Sequence, residues 1–270
     1  MEIYYRPLIS GGILLFMILW EFFLPRRPLL SKRSYRWRVN LSLAVLNYII
    51  LKLIKFDLAY SSSLWVTEKH WGILNIFEFN QFTKLLLTVV TLDLLIYFQH
   101  RVFHKIPLLW QLHQVHHSDT DFDTTTAIRF HPLEIILSML LKITFICLIG
   151  ADPLGVIIFE ITLNGGALFN HANIFIPKNW DRTVRLLIVT PDMHRIHHSS
   201  FSIETNSNYG FSTSLWDRIF RTYTDQPKNS HILMKIGLDY LPSPLQFNLN
   251  KIILLPFKKR KRQMDQTNLK

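Results

Sequence analysis

Five apolar blocks punctuate the chain, with charged and histidine-rich stretches between them. A soluble domain would spread its apolar residues at helical or strand spacing instead. The first block, LISGGILLFMILWEFFL, covers 8–24. Pro25, Arg26 and Arg27 follow it in place of a small-residue cleavage site, so it reads as an anchor and not as a removed signal. The second covers about 41–60 and contains Lys52 and Lys55, which can snorkel or mark a helix end. The third, LLLTVVTLDLLIYF at 85–98, runs directly into histidines. The fourth (135–150) and fifth (154–169) are joined by a tight turn at Asp152 and Pro153, a helical hairpin that crosses the bilayer or dips into it. A hydrocarbon core about 30 Å thick needs roughly 20 mostly apolar residues per span. The pattern predicts an all-α integral membrane bundle of about four or five membrane helices with a cytoplasmic helical cap. Three regions are expected: N-terminal membrane helices and a basic loop (1–83), a histidine-rich core (84–225) and a basic tail (226–270).

Charge refines this picture. The chain combines 49% apolar residues and a mean hydropathy of +0.17 with 30 Lys and Arg and a net charge of +11. Its basic residues flank apolar blocks and form the run KKRKR at 258–262, as membrane proteins facing anionic headgroups do, so a nucleic-acid partner is not expected. The segment 25–39 carries Arg26, Arg27, Lys32, Arg33, Arg36 and Arg38, whereas 61–82 carries only Lys69. The positive-inside rule puts the former in the cytoplasm. Counting spans forward then puts 100–133 and 171–270 on that face too, so every histidine cluster faces the cytoplasm. The single cysteine, Cys147, excludes an internal disulfide and a thiolate metal site.

The histidines carry the chemistry. HRVFH (100–104) spaces them at i and i+4, and HQVHHS (113–118) and HRIHHS (194–199) at i, i+3 and i+4, one face of a helix. His100, His104, His113, His116, His117, His194, His197 and His198 can therefore converge, and His171 in FNHANI emerges on the same side. Nine imidazoles exceed one metal's needs and suit two. Imidazole alone does not choose among Zn, Cu, Fe and Ni. A zinc protease would carry HExxH, and here Arg101, Gln114 and Arg195 occupy the Glu position. His131, in RFHPLE, is a tenth ligand, an outer partner or a loop residue; His70 and His231 read as ordinary interfacial residues. Metal-bound imidazoles donate their second N–H to a carboxylate or carbonyl. Asp93, Asp123, Glu134, Asp192, Glu204 and Asp217 are the acids in reach along the chain, and Asp93 and Glu160 sit inside apolar blocks, where an ionisable residue points to function.

The series D-x6-HRVFH, LWQLHQVHHSD, RFHPLE, FNH and MHRIHHSS, followed by NYGFSTSLWDRIFRTY, resembles the fatty acid hydroxylase / sterol desaturase superfamily over about 93–223. The resemblance implies a membrane non-haem enzyme with two iron ions that uses O2 to hydroxylate or desaturate a lipid of sterol, fatty acyl or alkylglycerol type. It implies metal ligands at His100, His104, His113, His116, His117, His171, His194, His197 and His198. Ala167 stands where some members carry a further histidine, which leaves that ligand absent or supplied by His131 or water. Asn208, Tyr209, Trp216 and Asp217, in the closing element, are implied to support the site. The chain has no dinucleotide fingerprint, iron–sulfur cysteines or haem motif, so electrons must come from a separate donor, a b-type cytochrome or a ferredoxin with its reductase. A bacterial cytoplasmic membrane is favoured by the short chain without fused domains; a eukaryotic relative would sit in the endoplasmic reticulum. The alternative, a non-catalytic metal-binding membrane protein or transporter, would place its ligands at the bilayer midplane in broken helices, not at the ends of apolar blocks.

Overall fold

The computed structural model describes residues 2–54, 58–241 and 248–258. The basic run at 259–262 and Lys55 lie outside them. Among the described residues the structure is helical, with only three isolated bridge pairs and no strand. The order is α1 (Glu2–Phe23), α2 (Arg33–Leu53), α3 (Leu58–Glu68), α4 (Ile73–Ile76), α5 (Gln81–Lys105), α6 (Pro107–His117), a 3-10 turn (Thr124–Ile128), α7 (Pro132–Ile149), α8 (Pro153–Asn170), α9 (Lys178–Val184), α10 (Pro191–His197), α11 (Ser202–Thr205), α12 (Leu215–Ile219) and α13 (Leu249–Ile253). Four helical stretches are long and apolar enough to cross a membrane: Arg33–Ile76, α5, α7 and α8; Leu8–Phe23 within α1 is a shorter apolar helix. The chain is an integral membrane protein.

Chain chemistry sets these boundaries. Asn80 caps α5 by accepting from Thr83 N, and Asp152 caps α8 by accepting from Gly155 N. Pro107, Pro132, Pro153 and Pro191 each open a helix at a first-turn position, where a missing N–H costs nothing. Gly150 ends α7 in the left-handed conformation (φ 69°). A side chain there would meet Trp71 O at 2.5 Å, so glycine alone fits the hairpin turn.

The segment 61–82, expected as a loop, is largely helical. Ala59, Ser63 and Val66 recur at helical spacing and give α3 a buried face against α7 and α8. The membrane core joins Leu92, Ile96, Ile146, Val156 and Phe159 of α5, α7 and α8. Much of α7 instead faces outward, with Leu133, Leu137, Leu140, Leu141 and Leu148 exposed, as a lipid-facing helix requires.

The stretch expected as a tail folds back instead. Met234 and Ile236 bury Phe122, and Ile252 and Leu255 join Val39, Leu43 and Val115 in a second core. Half of the basic loop is likewise consumed inside the protein. Arg27 donates to the carbonyls of His231 and Met234, Arg26 pairs with Asp192 at 3.0 Å, and Arg36 is fully buried.

A candidate metal centre of nine histidines

The helices bring the nine histidines into two groups. His100 and His104 lie on the last turns of α5, and His113, His116 and His117 on α6. The elbow at Ile106 and Pro107 turns α6 back so that its inner face meets α5. His171 follows α8 directly, and α10 carries His194 and His197, with His198 closing it. His100, His104, His113, His117 and His197 form one group; His116, His171, His194 and His198 form the other. Within each group the nitrogens that face inward lie within 4.8 Å of one another. All are buried except His104, which is partly exposed at the elbow.

Three nitrogen pairs set the scale. His100 Nε2 and His113 Nε2 are 3.1 Å apart, as are His171 Nε2 and His116 Nε2, and His194 Nε2 and His171 Nε2. An ion about 2.0–2.1 Å from each imidazole puts adjacent nitrogens ~2.9 Å apart in an octahedron and ~3.3 Å in a tetrahedron. The spacing therefore suits two nitrogens on one ion.

In four of the rings the far side fixes the tautomer. His113 Nδ1 donates to Glu134 Oε1 at 2.6 Å, His100 Nδ1 to Tyr209 O at 2.7 Å, His171 Nδ1 to Ala167 O at 2.8 Å and His197 Nδ1 to Ser207 O at 2.7 Å. With the proton held on Nδ1, Nε2 is left as the lone-pair donor. Both ring nitrogens of His104 and His117, and Nε2 of His197 and His198, are buried with no hydrogen-bond partner. Each unmet group costs about 1–3 kcal/mol unless something fills it, and a cation at each group answers that cost. Burial and mutual repulsion also keep the rings neutral, the form that binds metal. Burial pushes His113 and His171 down to about 3, and His116, His117, His194, His197 and His198 fall well below the usual value. The donor set fits two metal ions.

Aromatic walls enclose the rings. Phe130 stacks on His116 at 4.4 Å, Trp110 covers His104 at 4.8 Å, and Tyr209 lies 5.2–5.6 Å from His100, His104 and His197. Burial raises the Tyr209 phenol to about 12, so it stays protonated.

The remaining residues singled out in the sequence play other parts. His131 lies outside both groups: its Nδ1 accepts from Leu133 N to cap α7, and its Nε2 faces Ile253 O at 3.1 Å. Of the acids, Glu134 alone bonds a clustered imidazole. Asp217 acts one bond further out, accepting from Tyr209 N (2.7 Å), Gly210 N (2.8 Å) and Thr222 Oγ1 (2.7 Å), and so fixes the peptide that receives His100. Asp93 accepts from Trp216 Nε1 at 2.7 Å and fastens α12 to α5. Asn208 adopts φ 51° and donates to Met193 O and Thr224 O, tying the closing segment to α10. Asp192 pairs with Arg26 and Arg195, and Asp123 caps the 3-10 turn and receives Arg36 and Trp37.

Sequence reasoning missed the network beneath α6. Arg36 grips Asp119 through Nε (2.6 Å) and Nη2 (2.9 Å), and holds its carboxyl well below the usual carboxylate range. Arg129 donates to Val115 O (2.9 Å), Ser118 Oγ (2.8 Å) and Asn40 Oδ1 (2.7 Å). The signal was present in HHSDTDFD, an acidic run immediately after a histidine pair.

A cavity of about 510 Å³ opens beside the histidines. His100, His113 and Glu134 form one end, and apolar side chains of α5, α7 and α8, such as Ile96, Phe103, Met139 and Leu163, form its walls. An apolar chain entering from the bilayer would reach the histidines through it.

The chain is 30% identical over 148 residues to the ornithine lipid hydroxylase OlsE of Rhizobium tropici, a match covering 54% of this chain and 44% of that one. It is 28% identical over 141 residues to the alkylglycerol monooxygenase of Xenopus tropicalis (52% and 30% covered) and 28% identical over 130 residues to that of Homo sapiens (47% and 27%). The chain thus spans less than half the length of these curated relatives. No solved structure matches. Residues 85–222, just over half of the chain and all nine clustered histidines, match the fatty acid hydroxylase family. The chain is a member of the fatty acid hydroxylase family.

Proposed function

We propose that the protein is a membrane-bound non-haem di-iron oxygenase that hydroxylates a C–H bond of a lipid with O2 and an external electron donor. One observation carries this reading: two adjacent histidine groups lie at the ends of the membrane helices, and the first opens through His100 and His113 onto a largely apolar cavity between α5, α7 and α8. His100, His104, His113, His117 and His197 would hold one iron, and His116, His171, His194 and His198 the other. When bound, the irons supply activation of O2. The chain's own residues do the rest. Glu134 and the carbonyls of Tyr209, Ser207 and Ala167 hold protons on Nδ1. Trp110, Phe130 and Tyr209 exclude water from the rings, and the cavity wall orients the alkyl chain. The names of the relatives favour insertion of oxygen over desaturation. The histidine face is read as cytoplasmic, where a soluble donor docks.

The test is iron content of the detergent-purified chain, prepared without oxygen. About two irons per chain are expected, falling below one in a His116→Ala/His197→Ala variant, with oxidised lipid formed on adding reductant and O2. A single zinc that survives the double substitution would sink the proposal.

A further inference from the structure

The deep end of the cavity is not apolar. Lys142 of α7 and Glu160 of α8 line it and form an ion pair at 2.7 Å, with side chains 11% and 14% accessible. Ser10 of α1 and Asn164 of α8 line it as well, and Gln99 Nε2 donates to Ser138 Oγ at 2.9 Å on the wall between the two ends. Lys142 lies eight residues beyond Glu134 on α7, and Glu160 lies eleven before His171. At 1.5 Å per residue the pair stands roughly 12–16 Å from the histidines along the helices.

An ion pair inside a spanning helix hairpin is costly to keep. Apolar residues of similar volume often serve stability equally well or better, and an intramembrane charge that faces a cavity marks a binding function. The rest of the site does not use this pair. It lies two helical turns beyond Glu134 along α7 and belongs to neither histidine group.

We infer that Lys142 and Glu160 form a polar subsite for the lipid substrate, one that selects chains bearing a hydrogen-bonding group, a hydroxyl or amide, at a fixed distance from the carbon that is oxidised. A hydroxyl or amide donates to the Glu160 carboxylate and accepts from the Lys142 ammonium at once, so it joins the pair without breaking its charge balance. A plain hydrocarbon meets the same groups and gives nothing back. The remaining span of apolar wall then holds the methylenes between that group and the histidines. This inference rests on reading the cavity as the substrate's.

Binding separates the two claims, because it needs no turnover. Stearic acid and a mid-chain hydroxystearic acid are titrated against the full-length protein in detergent, and the same preparation is assayed for iron. The hydroxylated probe is expected to bind about tenfold tighter, the order of one hydrogen bond to a charged group. The preference should vanish in Lys142→Met/Glu160→Gln, while iron content stays at the wild-type level. Equal binding of both probes by the wild type, or a preference retained in the variant, overturns the subsite. A wild-type preparation that shows the preference but holds no iron overturns the oxygenase reading alone. Should the variant fail to fold, a photoreactive hydroxystearic acid decides the matter in the wild type. Labelling of α7 and α8 peptides containing Lys142 or Glu160 supports the subsite, and labelling confined to other peptides refutes it.

Discussion

Among the described residues Glu134 holds the only carboxylate bonded to a clustered imidazole, and its 2.6 Å bond to His113 sets that ring's tautomer. Outer partners of this kind typically contribute 10- to 100-fold in metal affinity. Glu134→Ala is expected to weaken metal retention by that order in a chelator competition. His131→Ala should behave differently: it removes a helix cap, costs about 1 kcal/mol in thermal unfolding and leaves metal stoichiometry unchanged. Eight of the nine clustered histidines were legible in the sequence because i, i+3 and i+4 spacing fixes a shared face wherever a helix forms, and His171 was legible from its place directly after the fifth apolar block. Their outer partners were not. Three of the four are backbone carbonyls, at Tyr209, Ser207 and Ala167, and a carbonyl leaves no trace in residue identity. The acids misled for a related reason. Asp93, Asp123 and Asp192 lie near histidines along the chain, but their partners Trp216, Arg36 and Arg26 come from 87 to 166 residues away.

At the level of helices, apolar runs predicted α5, α7 and α8 closely, since membrane thickness sets a length that sequence can meet. The packing that holds those helices together is finer. Gly155 of α8 sits against Thr88 of α5, and a Cβ there would meet Thr88 Cβ and Cγ2 at 2.8 Å. Gly155→Val is expected to push the two helices apart and cost about 1–3 kcal/mol, read as a lower thermal midpoint in detergent. Because α5 carries His100 and α8 leads into His171, the same substitution should reduce iron content in step with stability. The helical segment α3 escaped detection because its buried positions, Ala59, Ser63 and Val66, are small and partly polar. Their burial depends on α7 and α8, which pattern alone does not bring near.

For the whole molecule, the boundary expected at residue 225 does not separate a tail from a core. Met234 and Ile236 cover Phe122, which itself packs on His171 and His198, and Gly237 N donates to His198 O at 3.2 Å. A chain ended at residue 225 is expected to lose the folded state, seen as aggregation in size-exclusion chromatography and loss of metal. A second consequence concerns pH. Burial holds His113 and His171 at about 3 in the folded protein, against about 6.5 when unfolded. Between those values the unfolded chain binds more protons, so stability rises with pH across the window and is complete above it. The metal-free protein should therefore unfold at a lower temperature at pH ~5 than at pH ~7.5. A flat profile would show that the rings are not buried as neutral groups.

The split of the ligands along the chain also sets an order of biogenesis. His100 to His117 leave the ribosome together, but each group closes only with rings from α10 or its edge, and the second also needs His171 after the α7–α8 hairpin. An emerging chain carries four rings of the first group but only His116 of the second until the hairpin is made. Completion of both groups thus belongs to the finished protein, after α10 has packed against α8.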